Sequence, residues 1–118
     1  MALNAVADIR QRLEDYLQDV PVKINMPKDR PDTIVLVSRL GGKRQNKLID
    51  RPAIIFYCYA PTEQEAWELA NKTADYVDNL PFSEGYGQIT QEIMYSDPDP
   101  DTRTPRWYMR YSIQTYQY

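Results

Sequence analysis

The sequence predicts an α+β domain: a largely antiparallel sheet of about four to five strands with two helices packed on one face. Three observations predict it. Two segments show apolar residues at three- and four-residue steps, the helical period, while the rest of the chain is divided into short β-rich runs. The order is helix, strands, helix, strands, without an internal repeat, a linker or a low-complexity tail. The 118 residues suffice for one modest core, so residues 1–118 are read as a single domain.

The first helix is carried by Leu3, Val6, Ala7, Ile9, Leu13, Tyr16, Leu17 and Val20, with Asp8, Arg12, Glu14, Asp15 and Asp19 largely between them. Pro21 ends it. Residues 22–26 read as a short extended stretch, and residues 27–32, with two prolines, as a polar turn region. Residues 33–40 form a β-run that Gly41-Gly42 breaks. The following segment, residues 41–50, is polar. The clearest strand is Pro-Ala-Ile-Ile-Phe-Tyr-Cys-Tyr-Ala, residues 52–60, apolar on both faces and therefore central and buried. Two β-runs around a polar connector predict a hairpin with a long tip.

Thr62-Glu-Gln-Glu65 has the spacing of a capping box, with Thr62 as N-cap, and opens a helix that ends near Leu80-Pro81. Glu63, Glu65 and Glu68 lie toward the positive end of its dipole. Its stripe of Ala66, Leu69, Ala70, Thr73, Ala74 and Val77 is narrow and small enough to lie close to a sheet. Residues 83–87 form a loop. Residues 88–95 form a strand with Ile89, Ile93 and Tyr95 on one side and Gln88, Thr90 and Glu92 mostly on the other. Residues 97–105, Asp-Pro-Asp-Pro-Asp-Thr-Arg-Thr-Pro, form a stiff acidic loop. In the final strand Trp107, Met109, Tyr111 and Ile113 share the core face, and Arg106, Tyr108, Arg110, Ser112 and Gln114 the other. The uncovered sheet face is expected to hold Tyr57 or Tyr59, Tyr108 and Arg110, and to meet water or another subunit.

Composition narrows the chemistry. The chain has no histidine and a single cysteine, Cys58, set in an apolar run and read as a core residue. Ser-His-Asp and Cys-His catalysis need a histidine, and zinc sites need histidine or several cysteines, so the chain is read as a non-enzyme without catalytic or metal residues and without a cofactor. Asp97, Asp99 and Asp101 alternate like the start of a calcium loop, but Thr102 stands where that loop needs glycine and Tyr108 where it needs glutamate. Gly41-Gly42 has no Lys-Ser/Thr after it and no helix, so it is no phosphate loop. No stretch is long enough to span a membrane, and Met1 to Asn4 lead into a helix pattern rather than a signal peptide, so a soluble protein made in a cytoplasm is expected.

Charge is mildly acidic, 14 Lys+Arg against 17 Asp+Glu, which argues against a general nucleic-acid binder. Ten Tyr and two Trp against two Phe point to surfaces that become partly buried, although half-exposed strand positions would use the same residues. Around the polar connector, Arg39, Lys43, Arg44, Lys47 and Arg51 face only Asp50 in sequence. They are candidates for a contact with an acidic protein surface or with DNA; the plain alternative is a solvated hairpin. The outer side of the second helix carries Glu63, Glu65, Glu68, Asp75 and Asp78 against Lys72. A basic loop and an acidic helix are what head-to-tail neighbours could use, though exposed acids also serve only to solvate a helix. Glu63, Glu68, Tyr108, Arg110 and Tyr116 are the inter-subunit candidates.

In wording, residues 50–116 resemble tail terminator proteins of long-tailed phages, most similarly those of phages of Gram-positive bacteria. The resemblance rests on Asp-Arg-Pro-Ala-Ile-Ile-Phe-Tyr-Cys-Tyr-Ala, the Glu/Ala-rich helix after Thr62, the Asp-Pro-Asp-Pro-Asp-Thr-Arg-Thr-Pro-Arg-Trp run, and the amphipathic last strand. Residues 1–118 match in order of elements. The resemblance implies a ring, typically a hexamer, that docks on the last ring of tail-tube subunits, stops tube growth and offers a surface to the head–tail connector. It implies a virion component at the head-proximal end of the tail, assembled in the host cytoplasm, with tube protein and connector protein as partners, no membrane, and DNA passing at most transiently. A head-closure or other tail-completion protein shares these features. A small nucleic-acid module using the basic loop and the tyrosines is a more distant alternative.

Overall fold

The computed structural model describes residues 4–116. Two helices and a five-stranded, mostly antiparallel sheet form the expected α+β arrangement, with strand order β1-β2-β3-β5-β4. The strands are β1 Val22–Lys23, β2 Ile34–Arg44, β3 Ile49–Tyr59, β4 Tyr86–Ser96 and β5 Arg106–Tyr116. Helices α1 Ala5–Leu17 and α2 Glu63–Asp78 cover one face. Helix α1 lies over β1 and β2, and α2 over β3, β5 and β4.

Helix α1 starts at Asn4, whose side-chain oxygen accepts a hydrogen bond from the Ala7 N–H at 3.2 Å. It buries Ala5, Ile9 and Leu13, at successive four-residue steps. It closes at Leu17, before Pro21, because Gln18 turns to a positive φ of 61° and returns its N–H to the Glu14 carbonyl. Leu3, the first residue of the expected stripe, lies outside the described residues. Thr62 caps α2 as the sequence predicts, accepting from the Glu65 N–H at 3.2 Å. All six residues of the expected stripe are buried.

β3 occupies the middle of the sheet. Its Asp50, Pro52, Ile54, Phe56 and Cys58 point into the helix-covered core, while Arg51, Ala53, Ile55 and Tyr57 sit half-buried on the far face. In β5 the core residues Met109, Tyr111 and Ile113 have no exposed surface, and Trp107 packs against them from the margin. Burial of a side chain the size of Phe56 contributes about 1.5–3 kcal/mol, and its ring meets that of Tyr111 edge-on at 5.8 Å between centroids. Cys58 is a core residue whose thiol donates to Thr73 Oγ1 at 3.8 Å; burial pushes its pKa up to about 12.

Four sequence expectations need correction. Gly41-Gly42 does not break the β2 strand: β2 runs on to Arg44, with a bulge between Arg39 and Gly41. Gly42 takes φ +84°, and a Cβ there would lie 2.1 Å from the Arg51 carbonyl oxygen, so Gly42 permits a close pairing with Pro52 where the sequence suggests a strand break. The hairpin tip is accordingly short, residues 45–48, rather than long. On β4, after a register shift between Tyr86 and Ile89, a bulge between Gln91 and Ile93 moves the side chains that follow to the other face. Ile89 and Met94 therefore pack on the core, while Ile93 and Tyr95 face outward beside Arg110 and Tyr108. Of residues 22–26, Val22 and Lys23 alone join the sheet, and they pair parallel to β2.

Candidate interaction surfaces

The sheet face away from the helices is the first surface. Successive pairings align Leu36, Tyr57, Tyr108 and Tyr95 in one row across β2, β3, β5 and β4. Tyr108 lies between its two neighbours in tilted ring contact, with centroids 5.2 Å from each and interplanar angles of 50°. The next row holds Ser38, Ile55, Arg110 and Ile93. Tyr57, Tyr59, Tyr108 and Arg110 are thus all on this face, as expected. Tyr95 is 43% exposed and Ile93 40%, although both are apolar or aromatic. The sequence pattern places these two on the wrong side and so misses them as surface candidates; the signal that could have found them is the lack of a polar residue at either position.

One end of this face is closed by loops. The Asp99 carboxylate, 7% exposed, accepts from the backbone N–H groups of Asp101 at 2.9 Å and Thr102 at 3.3 Å, and from the Tyr59 hydroxyl at 3.2 Å. Arg30, from the loop before β2, donates to it at 3.3 Å. Arg106 donates to the Tyr59 hydroxyl at 3.2 Å and to Asp97 at 3.0 Å, and its guanidinium lies 4.2 Å from the Tyr57 ring centre. Burial acts to raise the Asp99 pKa, but the hydrogen bonds from Asp101, Thr102 and Tyr59 and the charge of Arg106 outweigh it and hold the carboxyl below its ordinary value. The Asp/Pro-rich loop is therefore fixed by one inward aspartate whose acceptor sites are already used.

The hairpin is the second surface. Every residue from 42 to 48 is exposed, beyond the helix layer. The five basic candidates separate into two groups. Arg39 holds Asp50 with two hydrogen bonds, at 2.9 and 3.1 Å, and donates to the Gly41 carbonyl, so it ties the bulge to the buried end of β3. Arg51 donates to Gln45 at 2.8 Å. The side chains of Lys43, Arg44 and Lys47 make no hydrogen bond or ion pair among the described residues. Two exposed apolar side chains accompany them: Leu40 and Leu48.

The third surface is α2. Glu63 is taken up within the chain, accepting from the Trp107 indole N–H at 2.8 Å. Among the described residues the Glu68 carboxylate accepts only from Gln64, at 3.0 Å. Trp67 beside it is 44% exposed, and no sequence signal singles it out. Arg110 reaches Glu92 at 3.4 Å. Tyr116 lies against Phe82, ring centres 5.7 Å apart. The structure thus brings Tyr108 and Arg110 together on the open face, with Tyr116 at the far end of the same face of β5, and leaves Glu63 and Glu68 apart from them on α2.

Among the described residues no group of three or more His, Cys, Asp or Glu side chains is gathered in a way that could hold a metal, and no helix is long and apolar enough to cross a membrane. The chain matches no protein-family model and no curated protein.

Proposed function

We propose that this chain is a structural virion assembly protein of the tail terminator kind: a ring on the end of a phage tail tube that stops its polymerisation and presents a joining surface to the head. It works without a cofactor or a catalytic step, at the head-proximal end of the tail. The observation that carries the reading is the uncovered sheet face. Its tyrosine row is already in ring-to-ring contact and flanked by the exposed Ile93, so little order is lost when it is covered. Each aromatic pair adds about 0.5–1.5 kcal/mol beyond area burial, so the row is held in shape before any partner arrives. Further support comes from the resemblance of residues 50–116 to that family, and from an element order that suits it.

The test is to add the purified protein to polymerising tail-tube protein from the phage that carries it. The proposal expects shorter tubes, each closed at one end by added protein. Attachment to the portal-side connector with no effect on tubes would assign the chain to head closure instead. Unchanged tube length with no binding to either would remove the reading.

A further inference from the structure

The β2–β3 hairpin and helix α2 carry opposite net charge that no ion pair among the described residues joins. On the β2–β3 side, Lys43, Arg44 and Lys47 are exposed and meet no acid within the described residues, while Arg39 and Arg51 are already engaged. On the α2 side, Glu68, Asp75 and Asp78 form no ion pair among the described residues, and Lys72, the one cation of the helix, forms none either. The helical period sets where these acids lie. Tyr76 faces α1, with its ring 4.7 Å from that of Tyr16. At 100° per residue, Trp67 and Asp78 fall on the side away from Tyr76, toward the β4 edge, and Glu68 and Asp75 fall on the outward face between. Each patch also exposes large apolar side chains: Leu40 and Leu48 on the hairpin, Trp67 on the helix.

The strand order puts β2 and β4 on opposite sides of the central β3. Two copies related by a two-fold axis through either patch would set like charge against like. Two copies placed head to tail set the cations of one against the acids of the next, and a contact of that kind repeats into a ring when its rotation closes. We infer that the occupant of each patch is a second copy of this chain, with Lys43, Arg44 and Lys47 of one copy lying against Glu68 and Asp75, beside Trp67, of its neighbour. This rests on the ring-forming reading above and supplies the contact between neighbours that it requires.

The test is reciprocal charge reversal in the full chain, read by sedimentation equilibrium at low salt. One variant is K43E/R44E/K47E. The other is E68K/D75K, which spares Asp78 because that carboxylate sits against the Tyr111 hydroxyl. All five positions are exposed, so both variants are expected to unfold at the wild-type denaturant midpoint. Each alone is expected to weaken self-association by about tenfold or more, and mixing the two is expected to restore it, since each reversed patch then meets its complement. If rings form and neither variant disturbs them, the contact is wrong and the ring reading stands. If the helix reversal does nothing while the hairpin reversal abolishes binding to an oligonucleotide, the hairpin serves nucleic acid and the inference fails. If the wild-type chain neither self-associates nor caps tubes, the ring reading falls and this contact falls with it.

Discussion

Asp99→Ala removes the group that holds the two loops under the sheet, and its cost follows from the donors that the missing carboxylate would leave without an acceptor. The N–H groups of Asp101 and Thr102 sit on exposed residues and turn to water, at about 1 kcal/mol together. The Tyr59 hydroxyl, on a residue 5% exposed, is deprived of its acceptor, which costs about 1–2 kcal/mol. Arg106 keeps Asp97 at 3.0 Å and the Asp97 carbonyl at 2.8 Å, so its charge is not stranded. The sum is about 2–3 kcal/mol, or about 8–12 °C in Tm for a domain of this size. Asp99→Asn keeps an acceptor for both backbone N–H groups but turns an amide toward Arg30 and Arg106, for about 1–2 kcal/mol. Because the folded Asp99 pKa is depressed, its contribution is present above the ordinary aspartate value, near 3.8, and is lost as pH falls through the lower folded value. Urea unfolding of the three proteins at neutral pH and in acid measures this. The expected order of stability is wild type, Asn, Ala, with the wild-type advantage over Asn shrinking in acid. An Ala variant within about 0.5 kcal/mol of wild type would refute the reasoning.

The two groups of hairpin cations respond differently. Arg39→Ala leaves Asp50 buried without its two hydrogen bonds and is expected to lower stability by about 1–2 kcal/mol in urea unfolding, whereas Lys43→Ala with Arg44→Ala changes it by less than about 0.5 kcal/mol. Cys58, fully buried with its pKa raised to about 12, is expected to resist alkylation in the native protein at mildly alkaline pH and to react at once in denaturant, as counted by mass spectrometry. Ile93→Glu with Tyr95→Glu is expected to lower stability by about 0.5–1.5 kcal/mol, through loss of the Tyr95–Tyr108 ring contact, and to leave the protein folded while abolishing tube capping in the assembly assay.

The parts of the fold legible in sequence are those set by local chemistry. The helical stripes, the Thr62 cap, the core face of β5 and the central place of β3 follow from period, capping and hydrophobic run. What escapes a sequence reading is set by contacts between segments. A bulge adds one residue and exchanges faces, and nothing in the run from Gln88 to Tyr95 marks Glu92 as that residue. Gly41-Gly42 carries the same composition whether it ends a strand or lets one approach Arg51 closely. Three aspartates alternate with prolines, and only the position of Tyr59, Arg30 and Arg106 in space selects Asp99 as the inward one. Likewise five basic residues look alike in sequence, until Asp50 and Gln45 engage Arg39 and Arg51.

The most direct measurement is imaging of tail-tube ends after incubation with the protein, paired with the native mass of whatever dissociates from them. The account predicts a closed ring on one end of each tube, and a released assembly of about six times the 13.9 kDa chain. Bare tube ends, with the protein recovered as a free single chain, would contradict it.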